Sequence, residues 1–186
     1  MSEYRSSESD LYPVIDRFLN IQFAARVKPP LGTNLPLVAI TATAGPAGSG
    51  IWSRPDLAMI NAWRHKYQPD LRVDLYGFEV KRDEGCDLRS VHETLAHQRL
   101  VHFAYLVWHY RTADTNSERF KVIRDNCEAY GLGLISFADP SDGRSFVVHL
   151  GATRAAPSEA AVDDFIETRF PAHQQRTLLE WIGAGR

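Results

Sequence analysis

Two short apolar segments decide the fold: RPDLAMI at residues 54–60 and YGFEVK at residues 76–81. Each is mostly apolar and carries few charges, so we predict a β-strand at both places. Residues two apart on a strand point to the same face, so Glu79 and Lys81 share one face. Burying an acid and a lysine beside an apolar sheet costs free energy unless each has a partner. The pair is therefore a candidate functional feature.

Asp56 adds a second carboxylate from the first of these strands. A hairpin is the shortest connection between the two strands, and it would place Asp56 near Glu79. Two carboxylates can hold a hard divalent cation through oxygen. A lysine beside them can act on a nucleophilic water or on a phosphate group. The three side chains therefore predict a cation-dependent site.

Composition limits the classes of protein to consider. The 186 residues, 44% of them hydrophobic, suit one domain with a sizeable core. A net charge of −2 does not point to nucleic acid by charge alone, although it allows such a partner. The polar N-terminus, the two cysteines and the absence of an apolar run of about 18 residues predict a soluble, cytoplasmic protein without membrane contact.

The rest of the chain alternates helical and strand patterns. Apolar residues at helical spacing predict a first helix over about 9–20, with Pro13 in its first turn. Ser90 and Glu93 have the capping-box spacing of a helix that runs to about His102. The other predicted elements are a strand at 35–43, a loop at 45–50, a turn at 64–72, a strand at 103–109, a helix at 117–130, strands at 131–138 and 145–150, and helices at 158–170 and 172–182. Strands joined through helices predict parallel pairing.

This order of elements, with Pro55-Asp56 on the second strand and Glu79-Val80-Lys81 on the third, resembles the PD-(D/E)xK nuclease superfamily, which includes restriction enzymes, junction resolvases and repair nucleases. The resemblance covers residues 8–150. It implies an α/β fold with a restriction endonuclease-like core, in which helices flank a central mixed sheet of about five strands in αβββαβ order. We expect residues 1–7 to be disordered and residues 151–186 to form a C-terminal helical extension of the same domain.

The resemblance implies a divalent-metal-dependent nuclease that hydrolyses phosphodiester bonds, with DNA favoured over RNA as the substrate. Asp56, Glu79 and the backbone carbonyl of Val80 would bind Mg²⁺, for which Mn²⁺ would substitute. Lys81 would orient or help deprotonate the attacking water, or stabilise the negative charge of the transition state. The backbone of the nucleic acid would be held by Arg54, Arg82 and Arg89. A homodimer or a partner subunit would add to DNA capture.

Glu8 and Gln98 are further candidate site residues by the same resemblance. Glu8 stands where these nucleases often carry an acid in the first helix, and it would assist a second cation. Its alternative is a favourable charge near a helix N-terminus. Gln98 stands where several branches carry a glutamine on the helix after the E-x-K strand, and it would position Lys81 or a phosphate. Its alternative is an ordinary interface residue.

Plainer interpretations compete with this site. Glu79 and Lys81 would also suit a surface ion pair on an edge strand, worth under about 1 kcal/mol. His92, His97 and His102 are five residues apart, which is wrong for zinc ligands on one helical face and favours surface histidines. The alternative function is a catalytically silent nuclease-fold module that binds nucleic acid or a partner protein, which the acidic net charge favours. The two functions predict different geometry: a nuclease needs the Asp56 and Glu79 carboxylates to converge beside Lys81, and a silent module does not.

Overall fold

Helices flank a mixed six-stranded sheet in the computed structural model, which describes residues 7–27, 36–42, 54–64, 67 and 71–183. The strands are β1 (Leu37–Ile40), β2 (Leu57–Arg64), β3 (Leu71–Lys81), β4 (Phe103–His109), β5 (Gly133–Phe137) and β6 (Val147–Leu150), and they lie side by side in chain order. The α-helices are α1 (Tyr12–Phe18), α2 (Ala24–Arg26), α3 (Leu88–Ala96), α4 (Glu118–Ala129), α5 (Glu159–Arg169) and α6 (Ala172–Gly183). The predicted α/β class is confirmed, with six strands in place of about five.

Strand pairing follows the connections that the sequence predicts. β1, β2 and β3 form an antiparallel meander, in which Leu57 pairs with Phe78. α3 leads from β3 to β4 and α4 leads from β4 to β5, and these three strands are parallel. β6 returns antiparallel to β5. β3 is therefore a central strand with neighbours on both sides, so its last residues lie next to β2 and β4.

Alternate residues of the sheet face two separate apolar layers. Phe78 and Val80 of β3 pack in the layer that contains Phe18 of α1. Leu75 of β3 packs in the other layer, which contains Val91 of α3 together with residues of α4, α5 and α6. Glu79 and Lys81 have the same parity as Leu75, so they face α3.

The first helix and α3 differ from the sequence-based prediction. Helical structure is continuous from Glu8 to Arg26, through a 3-10 turn at Glu8–Leu11 and a π-helical turn at Leu19–Phe23. Asp87, not Ser90, is the N-cap of α3, and its carboxylate accepts the Ser90 backbone N–H at 3.1 Å. Aspartate caps as well as serine does, so the earlier residue adds a turn to the helix. The predicted end at His102 is wrong, because the chain tightens into a 3-10 turn at His97–Arg99.

Parts of the prediction fall outside the described residues. These are the N-terminus before Ser7, the predicted loop at 45–50 and most of the predicted turn at 64–72. The described helices are all too short or too polar to cross a bilayer.

Gly133 allows β5 to approach the ring of Tyr105 on β4. A Cβ atom at position 133 would overlap Cδ1 and Cε1 of this buried ring. The ring is anchored, because its hydroxyl accepts the Ala152 backbone N–H at 3.1 Å. We expect Gly133→Ala to lower the free energy of unfolding by about 2 kcal/mol or more in urea denaturation. Gly151→Ala is the control, since nothing lies within 4 Å of its Cβ position, and equal losses would contradict the prediction.

Candidate functional site

A cleft of about 220 Å³ opens where β3 ends and β2 begins, and we call it the acidic cleft. Five of the predicted site residues line it: Glu8, Arg54, Asp56, Glu79 and Lys81. Its remaining lining residues, which were not predicted as site residues, are Ala42, Glu93 and His97. Four carboxylates therefore face two fixed cations, so the acidic cleft carries excess negative charge that favours a bound cation.

Asp56 is held by several hydrogen bonds at the open end of the β2–β3 hairpin. It lies directly before β2 and not on a strand, and its backbone N–H donates to the Phe78 carbonyl at 2.9 Å. Its Oδ1 accepts the Tyr12 hydroxyl at 2.7 Å, and its Oδ2 accepts the Val80 backbone N–H at 2.8 Å. The hairpin brings Asp56 to the same cleft as Glu79, as the sequence predicts.

Glu79 is buried, with 8% of its surface exposed, and both of its oxygens have partners. Oε1 accepts Lys81 Nζ at 2.7 Å, and Oε2 lies 2.8 Å from His97 Nε2. Lys81 Nζ also lies 2.9 Å from Oε2 of Glu93 on α3. The interpretation as a surface ion pair on an edge strand is therefore wrong, because β3 is central and the lysine bridges two acids of a shielded cleft.

The two acids have opposite pKa shifts. Burial, together with the charge of Glu79, raises the pKa of Asp56 to about 6. Burial alone would raise the pKa of Glu79, but the hydrogen bond and charge of His97 and the ammonium of Lys81 lower it overall. Burial would lower the pKa of Lys81, but the Glu79 carboxylate outweighs it and raises that pKa above its usual value. At neutral pH both acids are ionised and the lysine is a cation.

Glu93 and His97 are site residues that the sequence analysis missed. The prediction of His97 as a surface histidine is wrong, since 1% of its surface is exposed and its ring contacts Glu79. In the sequence, Glu93 fits a capping box and the histidines are spaced wrongly for zinc, and neither pattern points to the cleft. Their spacing of four residues on one helix places them on one face, and that signal could have found them.

Gln98 is not brought to the acidic cleft. Its Nε2 donates to the Tyr130 carbonyl at 3.2 Å, in a separate surface groove. Gln98 follows His97 directly, so its side chain projects about 100–120° further round the helix axis, and His97 faces the cleft while Gln98 does not. The predicted role of Gln98 in positioning Lys81 does not fit this placement.

The predicted nucleic-acid contacts lie in and around the acidic cleft. Arg54 lines it directly. Arg82 Nη1 donates to the Ser7 carbonyl at 3.1 Å. Arg89 Nε lies 3.1 Å from Glu93 Oε1, and its side chain is 65% exposed. Arg89 is therefore connected to the cleft through Glu93 while its guanidinium faces solvent.

The donor chemistry fits a magnesium ion held by few protein ligands. Within the described ranges, no group of three or more His, Cys, Asp or Glu side chains is arranged to hold a metal ion. Mg²⁺, however, is usually held by one or two carboxylates, with water and substrate phosphate completing its shell. Each oxygen of Asp56 and Glu79 has one protein partner and keeps a further lone pair. The Val80 carbonyl points to the same side as its N–H, toward Asp56.

The site thus combines paired acids, a bridging lysine and an excess of negative charge in one cleft. Comparison of the sequence with protein-family models finds no match, and comparison with curated proteins finds none either.

Proposed function

We propose that the protein is a divalent-metal-dependent nuclease that hydrolyses phosphodiester bonds, and that its substrate is DNA rather than RNA. The observation that carries the proposal is the meeting of Asp56, Glu79 and Lys81 at one acidic cleft. The fold supports it, because an antiparallel β1–β2–β3 meander followed by α3 and a parallel β4 agrees with the αβββαβ order of PD-(D/E)xK nucleases. We therefore also propose a restriction endonuclease-like core.

The predicted site residues of the acidic cleft have separate roles in this proposal. Asp56, Glu79 and the Val80 carbonyl hold Mg²⁺, or Mn²⁺ in its place. When bound, the cation offsets phosphate charge and lowers the pKa of an attacking water. Lys81, whose pKa its acidic partners raise in the metal-free protein, stabilises the negative charge that develops in the transition state. Glu8 lines the same cleft and would assist a second cation.

Substrate capture relies on few basic groups. Arg54, Arg82 and Arg89 would contact phosphates, and such contacts position the backbone without reading sequence. The net charge of −2 gives little long-range attraction for DNA. A homodimer or a partner subunit that supplies further basic surface fits this charge.

Cleavage assays test the proposal directly. We expect the wild-type protein to cleave one or more of single-stranded DNA, duplex DNA and RNA with Mg²⁺ or Mn²⁺, and not with EDTA. Asp56→Ala and Lys81→Ala should each remove most of this activity, because they remove a cation ligand and the transition-state charge partner. Asp163→Ala and Lys121→Ala change exposed residues on α5 and α4 and should leave the rate unchanged. Cleavage that survives both cleft substitutions would refute the assignment.

A second candidate is a catalytically silent module with the same fold that binds nucleic acid or a partner protein. The observation that favours it is the closed network in the acidic cleft, in which every oxygen of Asp56 and Glu79 already has a protein partner. Such a module would bind DNA or a partner protein with equal affinity in Mg²⁺ and in EDTA. It would release no product from any of the three substrates.

A further inference from the structure

Glu93 of α3 and His97, the first residue of the 3-10 turn that ends α3, reach the acidic cleft without a role in the proposed reaction. Glu93 and His97 are four residues apart, so they project from one face of the helix toward β3. Glu93 Oε2 lies 2.9 Å from Lys81 Nζ, and His97 Nε2 lies 2.8 Å from Glu79 Oε2. Each member of the Glu79–Lys81 pair therefore has one partner on α3 or on the 3-10 turn that ends it, in addition to its partner within the pair at 2.7 Å.

We propose that Glu93 and His97 are positioning residues, through which α3 sets the geometry of the Glu79–Lys81 pair. Glu93 holds the Lys81 ammonium over the cleft, and His97 fixes the orientation of the Glu79 carboxylate. The consequence for catalysis rests on the proposed nuclease function. The positioning itself is a property of the metal-free protein and can be measured without any reaction.

The lysine needs a second anchor because its side chain is long. Four rotatable bonds separate its ammonium from the backbone, so one partner on the same strand leaves several rotamers open. Glu93 belongs to a different element, and two anchors from two elements leave one place for the nitrogen. The Lys81 and Glu93 side chains are largely shielded from solvent, at 15% and 19% exposure, so salt screens their attraction little.

His97 is placed as an orienting donor and not as packing alone. Its ring is buried, and Nδ1 has no hydrogen-bond partner among the described residues. The bond from Nε2 to Glu79 is thus the polar contact that His97 makes in this buried position. An apolar residue would occupy the same position at a lower cost in desolvation free energy. Because Glu79 is ionised, Nε2 carries the proton and donates it.

The first arm of the test follows the lysine ammonium by NMR in the metal-free protein. The chain has four lysines, so the ammonium region is sparse, and Lys81→Arg assigns the signal. We expect a slowly exchanging Lys81 signal in the wild type that Glu93→Ala abolishes and Glu93→Gln partly retains. Glu128→Ala, an exposed acid on α4, should leave it unchanged. A Lys81 signal that is the same in Glu93→Ala and wild type overturns the role of Glu93.

The second arm measures Mn²⁺ affinity by calorimetry and cleavage by steady-state kinetics. His97→Leu should weaken Mn²⁺ binding and lower kcat by about 10–100-fold, with KM for DNA changed less than about twofold, because His97 touches Glu79 and not the substrate. His97→Gln retains an amide donor and should recover most of both losses. His92→Gln, on the exposed side of α3, is the control. Unchanged Mn²⁺ affinity in His97→Leu overturns the role of His97.

The two arms separate this inference from the proposed function. If the wild type does not cleave, the nuclease proposal fails, while the Lys81 signal still decides whether Glu93 positions the lysine. If the wild type cleaves and Glu93→Ala and His97→Leu keep its kcat, the nuclease proposal stands and the positioning inference fails. Should Glu93→Ala not fold, Glu93→Gln decides the role of Glu93 instead: a partly retained Lys81 signal supports it, and an unchanged signal overturns it.

Discussion

Asp56→Asn is expected to abolish cleavage and, in the metal-free protein at neutral pH, to raise the free energy of unfolding. The rate should fall on the order of 10³-fold, because several kcal/mol of charge stabilisation depends on the ligands of the cation. The gain in stability should be about 1–2 kcal/mol, since one pKa unit corresponds to about 1.4 kcal/mol. A loss of activity that comes with a gain in stability separates a functional carboxylate from a structural one.

The sign follows from the pKa of Asp56. It lies near 6 in the folded protein, above the usual value of 3.8, so the folded state binds this proton more tightly than the unfolded chain. The contribution of Asp56 to stability therefore falls as the pH rises from about 4 to about 6, and it stays unfavourable above that range. Asparagine carries no charge to desolvate. Its oxygen can accept the Val80 N–H, and its amide can donate to the Tyr12 hydroxyl oxygen.

Glu79→Gln is the matched comparison at the same cleft. The pKa of Glu79 is lowered, so its contribution to stability is present above its usual pKa and is lost as the pH falls. Replacement by glutamine removes the charge that Lys81 and His97 contact, and should lower the free energy of unfolding by about 1–3 kcal/mol. Urea denaturation in EDTA at about pH 5 and at neutral pH measures both variants. Equal destabilisation by the two substitutions would contradict the charge assignment.

The sheet and the acids could be predicted from the sequence because both depend on local periodicity. Alternation along β3 places Glu79 and Lys81 on one face, and a short connection to β2 places Asp56 beside them. Strands that are joined through a helix favour parallel pairing, and the strands joined through α3 and α4 are parallel. Each of these inferences concerns residues or elements that are neighbours in sequence, for which the sequence pattern predicts the backbone geometry most directly.

The spacing of Glu93 and His97 marks them as a pair, but the side chains that reach the acids could not be predicted, because that depends on how separate elements pack. Tyr12 reaches Asp56 from a helix 44 residues away in sequence. Glu93 and His97 share a helical face by their spacing, but the contact of this face with β3 depends on how α3 packs on the sheet.

Lys81→Met is expected to bind Mg²⁺ several-fold more tightly than the wild type and to cleave on the order of 10²–10³-fold more slowly. The Lys81 ammonium lies 2.7 Å from Glu79 and 2.9 Å from Glu93, so a cation of the protein already sits among the acids. Removal of the Lys81 ammonium removes its repulsion of a divalent ion. The carboxylates that it neutralised then attract this ion more strongly. The transition state nevertheless loses a fixed positive charge.

Calorimetry with Mg²⁺ and single-turnover cleavage at saturating metal measure the two effects separately. Lys121→Met, which removes an exposed ammonium from α4, should change neither quantity. If Lys81 only held Glu79 in place for the cation, its removal would weaken Mg²⁺ binding and the slower cleavage would recover at high metal concentration. Tighter binding without recovery is the result that distinguishes a lysine that stabilises the transition state from one that only supports the metal ligand.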